Sequence, residues 1–343
     1  MWKLKQPTSI DLQNYENLML QDLYNRVDAC RLAPIKDNLI PLMPSGIRSK
    51  AILKFLLTGG VYESYLESER LMGLIFAGYS RAELNLYIKA KYTETGKRTT
   101  AQNNLITKYH DTIEELLKVM GYKQAFGNVK KAYQVTEWKG AKACTYCNRN
   151  YIFTISTGDR KKDKVARPEL DHWYAKSKYP LLSMNYFNLI PSCSTCNSSV
   201  KGSSDFDVAT HVHPYLQKKY NPSFSFCYNP AAPQWEKVTI DDRQASDREK
   251  STIDVFKLKT VYNCHADLEA KELYDLAVRH GARYLKDLLG LLKKDFPDKA
   301  EQDIYRMLFG VELEPHRFGE RPMSKFKYDL LKQMRILKNG HYM

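Results

Sequence analysis

No stretch of this sequence reaches the ~18 apolar residues that a bilayer-spanning helix needs. The apolar run "AILKFLL" is broken by Lys54. The start, "MWKLKQPTSIDLQ", has no apolar core of signal-peptide length, so neither a membrane span nor export is expected. Acidic residues are in deficit: 39 Asp and Glu stand against 53 Lys and Arg, a formal charge of +14. A field of that sign attracts polyanions, with nucleic acid first and an acidic membrane surface second. Cysteine is scarce and odd in number, at seven. Without an export signal, that favours a reducing cytoplasm and thiolate ligands over disulfides. No internal repeat or long low-complexity linker interrupts the chain. Its 343 residues, 43% apolar and 27% charged, suit two or three modest globular domains.

The first third reads as helix. Leu12, Tyr15, Leu18, Leu20 and Leu23 recur near helical spacing, with Asp11 as the expected cap. After breaks at 41–46 and at Gly59-Gly60, the helical pattern continues, and Ser80 with Glu83 spells a capping box. Gly121 is the expected stop of "DTIEELLKVMGY". The character changes near Val135. "YIFTI", from Tyr151 to Ile155, predicts a strand, and "RPELDHW" and "NLIPSC" predict two more. "SFSFCY" and "KVTID", around a Pro-rich turn, predict a hairpin, and from Ser246 the chain turns helical and basic. The expected architecture is α+β: a helical region over 1–135, a small β-containing module over 136–203, and a hairpin with helices over 204–343.

Two Cys-x-x-Cys turns, Cys144/Cys147 and Cys193/Cys196, carry the strongest signal. Each turn aims two sulfurs at one point, and four thiolates close a tetrahedral zinc shell, leaving no position for water. Such a metal is structural. The competing reading is a redox pair with two buried thiols. Cys30, Cys227 and Cys264 are isolated, and core burial is expected for all three. The turns are separated by roughly 45 residues, longer than in simple zinc modules, so something folds between them.

That segment holds "LDHWYAKS" and "YFNLIPSCSTCNSSVKG". Adjacent Asp171 and His172 on a strand point to opposite faces, and they share a site only if the strand bends. Asn197 directly follows the last cysteine, and Lys201 lies one helical turn later on the same face. Together these residue types suit phosphodiester hydrolysis. A hard Mg²⁺-like cation takes oxygen ligands and keeps several waters, so Asp171 and Asn197 suffice if phosphate supplies the rest. Neutral His172 takes a proton from the attacking water. Lys201 neutralises a phosphate charge.

The order Cys-x-x-Cys, Asp-His, Asn, Cys-x-x-Cys-Asn, Lys, over Ala141 to Gly202, resembles the zinc-stapled HNH, or ββα-metal, endonucleases. The resemblance implies His172 as general base, Asp171 as metal ligand and Asn188 as the brace of the loop between the strands. The last ligand position, often histidine in that family, is Asn197 here, which leaves the cation open among Mg²⁺, Mn²⁺ and Ni²⁺. More loosely, the layout is similar to the nuclease subunit of Septu-type and certain retron anti-phage systems. That implies a separately encoded ABC or Rad50-like ATPase as partner, since this chain has no Walker-type phosphate loop. The expected substrate is DNA, with RNA such as tRNA as the alternative. A non-catalytic zinc-dependent nucleic-acid-binding or adaptor protein is the rival from another class.

Ten Lys and Arg oppose four acids between Ala141 and Gly202, and Arg160, Lys161, Lys162 and Lys164 share one turn. Two readings of that turn stand level: phosphate contacts without sequence readout, or a solvated tip. Trp173 and Tyr174 are expected to pack against the knuckle in preference to stacking on a splayed base. His211 and His213 in "THVHP" lack a third ligand nearby and read as surface or loop.

Overall fold

The computed structural model describes residues 2–127, 129–157, 165–202, 204–298, 300–338 and 341–342. At 129, 280–282, 285–286, 301, 338 and 341–342 it describes the backbone alone. The basic turn of Arg160, Lys161, Lys162 and Lys164 lies outside the described residues.

Eight helices open the chain: α1 Ser9–Asp28, α2 Ala33–Leu39, α3 Ala51–Thr58, α4 Val61–Ile75, α5 Arg81–Lys91, α6 Thr100–Met120, α7 Tyr122–Gly127 and α8 Val129–Lys139. Thr8, not Asp11, caps α1. Its hydroxyl accepts from Asp11 N at 3.1 Å, while the Asp11 carboxylate accepts from Thr8 N at 2.8 Å. A carboxylate three residues into the helix reaches back to the open N–H, so the box shifts the start upstream of the acid. The buried stripe of α1 is Tyr15, Met19, Leu23 and Val27, a spacing of four. Burying each such side chain contributes about 1.5–3 kcal/mol. Leu12, Leu18 and Leu20 flank the stripe, partly buried. Ser80 caps α5, but the Glu83 carboxylate turns away to Lys108 at 2.6 Å and Tyr109 at 3.0 Å, so only half of the expected box forms. Gly121 ends α6 at φ +64°, a conformation that costs glycine little.

Strands β1 (Glu169–His172) and β2 (Leu189–Ser192) pair antiparallel, with Asp171 opposite Ile190 and His172 opposite Leu189. A π-helical stretch, Thr195–Lys201, follows directly. The expected strand over "YIFTI" is reduced to isolated bridges, Ala143 with Tyr151 and Ile155 with Ala166. The predicted hairpin forms as β3 (Ser225–Tyr228) against β4 (Val238–Asp241). Helices α9 (Asp247–Val255), α10 (Leu258–Asn263), α11 (Lys271–Asp295), α12 (Glu301–Phe309) and α13 (Ser324–Gln333) follow, with a last strand pair, β5 (Leu337–Lys338) and β6 (His341–Tyr342). The fold is α+β and mainly helical. No helix among the described residues is long and apolar enough to cross a membrane.

One hydrophobic cluster runs through all three parts of the chain, from Trp2 to Leu337. The β1–β2 unit is clamped from the N-terminal side. Asn185 donates to Leu56 O and Gly59 O, each at 3.0 Å, Tyr186 N donates to Leu57 O at 2.8 Å, and Tyr15 OH donates to Met184 O at 2.6 Å. From the C-terminal side, Tyr262 OH donates to Cys147 O at 2.6 Å and Met323 N to Asn148 O at 2.7 Å. The changes of character at 136 and 204 therefore mark segments that share a core.

Candidate functional site

The two Cys-x-x-Cys turns meet. The four Sγ atoms of Cys144, Cys147, Cys193 and Cys196 lie within 4.8 Å of one another, and all four residues are buried. A tetrahedron with Zn–S bonds of about 2.3 Å has sulfurs about 3.8 Å apart, so this donor set fits a zinc ion by chemistry and spacing. The first turn is held by Asn148 N donating to Cys144 O at 2.8 Å and by Cys144 N donating to Asn150 O at 2.9 Å. Asn148 takes φ +54°, an angle that asparagine tolerates better than most residues. Backbone N–H groups also point at sulfur, from Cys193 to Cys144 Sγ at 3.3 Å and from Arg149 to Cys147 Sγ at 3.4 Å. Burial pushes the Cys144 thiol up, while donation from neighbouring thiols pulls Cys193 well down. Holding a metal, Cys144, Cys147, Cys193 and Cys196 would all be thiolates, and that competition would end.

Of the remaining cysteines, Cys30 is buried as expected, but Cys227 is half-buried and Cys264 is exposed. Cys264 caps the end of α10, where its side chain faces outward.

β1 divides the other predicted residues between its two faces. On one face, Asp171 is 5% exposed, and its Oδ2 accepts from Lys201 Nζ at 2.7 Å and from the Tyr146 hydroxyl. Two residues earlier on the same face, Glu169 Oε2 accepts from Asn197 Nδ2 at 2.7 Å and from Ser198 Oγ at 3.3 Å. The helical stretch thus zips onto the strand: positions four apart on one, Asn197 and Lys201, meet positions two apart on the other. The sequence expectation gives Lys201 a phosphate to neutralise. Its ammonium is instead turned inward, 3% exposed, and also donates to His172 O at 2.5 Å. Burial pulls its pKa down, against the opposing pull of Asp171.

On the opposite face, His172 Nε2 lies 3.0 Å from Ser183 O. A carbonyl only accepts, so Nε2 carries the proton and Nδ1 keeps its lone pair. The ring packs edge-on to Tyr122, with centroids 4.3 Å apart. Lys176 Nζ stands 5.0 Å from the other ring of that pair, Tyr122. Burial, helped by the Lys176 charge, lowers His172 to about 3 and keeps it neutral at ordinary pH. The strand is not bent enough to bring His172 and Asp171 to one contact: their partners lie on separate faces.

Asn188 braces the loop between β1 and β2. Its Oδ1 accepts from Tyr174 N at 2.6 Å, and its Nδ2 donates to Tyr174 O at 3.1 Å and Leu182 O at 2.9 Å. Trp173 packs in the core, donating through Nε1 to Val212 O at 3.3 Å, and Tyr174 stacks on Tyr65. His213 lies in a loop, as one branch of the expectation has it, but is buried against Trp173 and not at the surface, while His211 stacks on Phe206. The apolar flanks Val212 and Tyr215 carry His213 inward with them.

Four side chains at this site escaped the sequence reading. Tyr146 sits inside the first knuckle, and Glu169 lies at strand spacing from Asp171, so the spacing itself held both. Tyr122 and Lys176 come from distant or looped segments and left no local signal. In comparisons with known proteins, no family model, no curated protein and no solved structure matches this chain.

Proposed function

We propose that the chain is an HNH-type endonuclease that hydrolyses nucleic-acid phosphodiester bonds, with DNA as the first substrate class. One observation carries this reading: an antiparallel strand pair and a following helical stretch hang from a four-cysteine cluster, with Asp171-His172 on the first strand, Asn188 in the loop and Asn197 on the helix. The sequence order of parts recurs along this strand pair and the stretch after it, with Asp171 and His172 on opposite faces of β1. His172, its Nε2 proton held by Ser183 O, presents Nδ1 as the atom that takes a proton from an attacking water. Asp171 and Asn197 would hold the divalent cation, Mg²⁺ or in its place Mn²⁺ or Ni²⁺, only once Lys201 releases Asp171 Oδ2 and the Asn197 amide leaves Glu169. When bound, that ion polarises the phosphate and eases departure of the leaving oxygen. The zinc serves the fold. In this reading the protein works in the cytoplasm beside an ABC or Rad50-like ATPase, as an effector of anti-phage defence, and RNA remains the alternative substrate.

A second reading has its own support. Asp171 is already neutralised by Lys201, and its partners lie on the face away from His172. That arrangement suits a non-catalytic zinc-dependent adaptor that binds nucleic acid. Incubating the purified, zinc-loaded chain with DNA and with total RNA under Mg²⁺, Mn²⁺ and EDTA separates the two. Metal-dependent cleavage of either polymer supports the nuclease and names its substrate. Binding without cleavage under every condition supports the adaptor.

A further inference from the structure

The carboxylates of β1, Glu169 and Asp171, are engaged on one face by Asn197, Ser198 and Lys201. The face of His172 gathers cations instead. Lys176, in the loop after β1, holds its Nζ 5.0 Å from the centre of the Tyr122 ring, and that ring meets His172 with centroids 4.3 Å apart. Lys123, at the start of α7, acts by its charge on Lys176, and Arg167, at the entry to β1, acts by its charge on Tyr122. Three separate segments thus set Lys123, Arg167 and Lys176 around one tyrosine.

None of these three cations meets a carboxylate among the described residues. Arg167 donates to a neutral carbonyl, Pro168 O, at 2.9 Å, and Lys176 has only its weak cation–π contact with Tyr122. Lys123 and Arg167 are exposed. Lys176 is half-buried, as are Tyr122 and His172, so the group is partly desolvated and still open to a ligand. Burial, and the like charge of Lys123, pull the Lys176 pKa down. A half-buried ammonium without a counter-charge costs stability, and an anion seated beside it removes that cost. A lysine free in water has no such need.

We propose that Lys176 holds the phosphate on which His172 acts, with Lys123 and Arg167 on neighbouring phosphates of the same strand. The role that helical spacing gives to Lys201 falls to a loop cation, on the face where the neutral imidazole lies. Lys176 offsets the charge that grows on the phosphate during attack, and the two exposed cations position the backbone without reading its sequence. The inference rests on the nuclease reading for the identity of its anion.

Fluorescence anisotropy tests it on the full zinc-loaded chain, with a labelled DNA duplex and a labelled RNA in EDTA over a series of salt concentrations. Each lysine on a phosphate adds about 0.9 to the slope of log affinity against log salt for duplex DNA. Lys176→Gln should flatten that slope by about one, and Lys176→Arg, which keeps the charge, should restore it. Lys123→Gln, at an exposed position, should flatten it likewise and covers the case in which Lys176→Gln fails to fold. Under Mg²⁺ or Mn²⁺, Lys176→Gln should lower kcat about 10²-fold beyond any change in KM. A chain that binds in EDTA but cleaves nothing removes the nuclease reading, while the slope still decides whether Lys176 touches phosphate. An unchanged slope in Lys176→Gln, or in Lys123→Gln where the former does not fold, overturns the proposal. A flattened slope with full kcat in Lys176→Gln also overturns it, because the lysine then sits on a phosphate remote from His172. Tighter binding of polyglutamate than of either nucleic acid overturns it as well and assigns the face to an acidic protein.

Discussion

The Lys201 ammonium lies 2.7 Å from Asp171 Oδ2, with both side chains almost sealed from solvent. A buried charge pair is costly to break from one side, because the partner is left uncompensated. Lys201→Met should therefore destabilise the zinc-loaded protein by about 3–5 kcal/mol. Adding Asp171→Asn to that variant should recover a large part of the loss. Urea denaturation of the two singles and the double checks this. Additive losses would show that the contact carries no coupling.

Removing one sulfur opens the metal shell. Cys193→Ser should lower bound zinc below one equivalent and expose the central module to protease, since metal binding supplies much of the folding energy of small sites. Zinc content by mass spectrometry of the native protein decides it. A full equivalent in the variant excludes a four-thiolate site.

His172→Ala should abolish cleavage while leaving nucleic-acid affinity within about threefold, since one general base contributes about 10²–10⁴ to rate and nothing required to binding. Gel-shift and cleavage assays on the same preparation read both. Surviving cleavage in a zinc-loaded variant removes His172 from the mechanism.

Asn188→Ala deletes three hydrogen bonds to the loop backbone and leaves the buried Tyr174 N–H and C=O unpaired, while Leu182 O keeps its bond from Asn185 N. A loss of about 2–4 kcal/mol is expected, at about 1 kcal/mol or more for each unmet group. Thermal melting checks the loss. Amide exchange at Tyr174, whose N–H loses the Asn188 oxygen, should rise in step.

His213 carries a pH signature. Burial holds it near 3 in the fold, against an ordinary value of 6.5. Between those values the unfolded chain binds a proton that the native chain refuses. This contribution to stability is therefore complete above pH 6.5 and falls as pH drops, by up to about 1.4 kcal/mol per pH unit, until about pH 3. Comparing urea midpoints of the wild type and His213→Gln at pH 7.5, 6 and 5 measures it. The variant should show the shallower acid slope.

The parts of this structure that were legible in the sequence are those set by short spacing. The four sulfurs converge because each Cys-x-x-Cys turn is local, the β3–β4 hairpin follows from alternation, and β1 and β2, whose burial does not alternate, are legible as short extended runs. Lys201 shows the limit. Helical spacing placed it on one face with Asn197, but whether that face looks outward or inward depends on a strand 30 residues earlier. Cys264 and His213 failed for the same reason, in opposite directions. Isolated residues carry no pattern, and their exposure is decided by whatever packs over them. The Asp11 expectation missed by three positions because a carboxylate inside the first turn can serve a cap that it does not itself form.

The clasp on the first knuckle has a kinetic side. Asn148 donates to Phe318 O at 2.9 Å, a partner 170 positions further along the chain. During synthesis Cys144 and Cys147 leave the ribosome long before that partner exists, and at about 5–20 residues per second the wait lasts many seconds. Metal capture and final closure are therefore separate events in the life of each molecule. A stalled nascent chain would carry its cysteines bare, open to oxidation and to the cell's proteases.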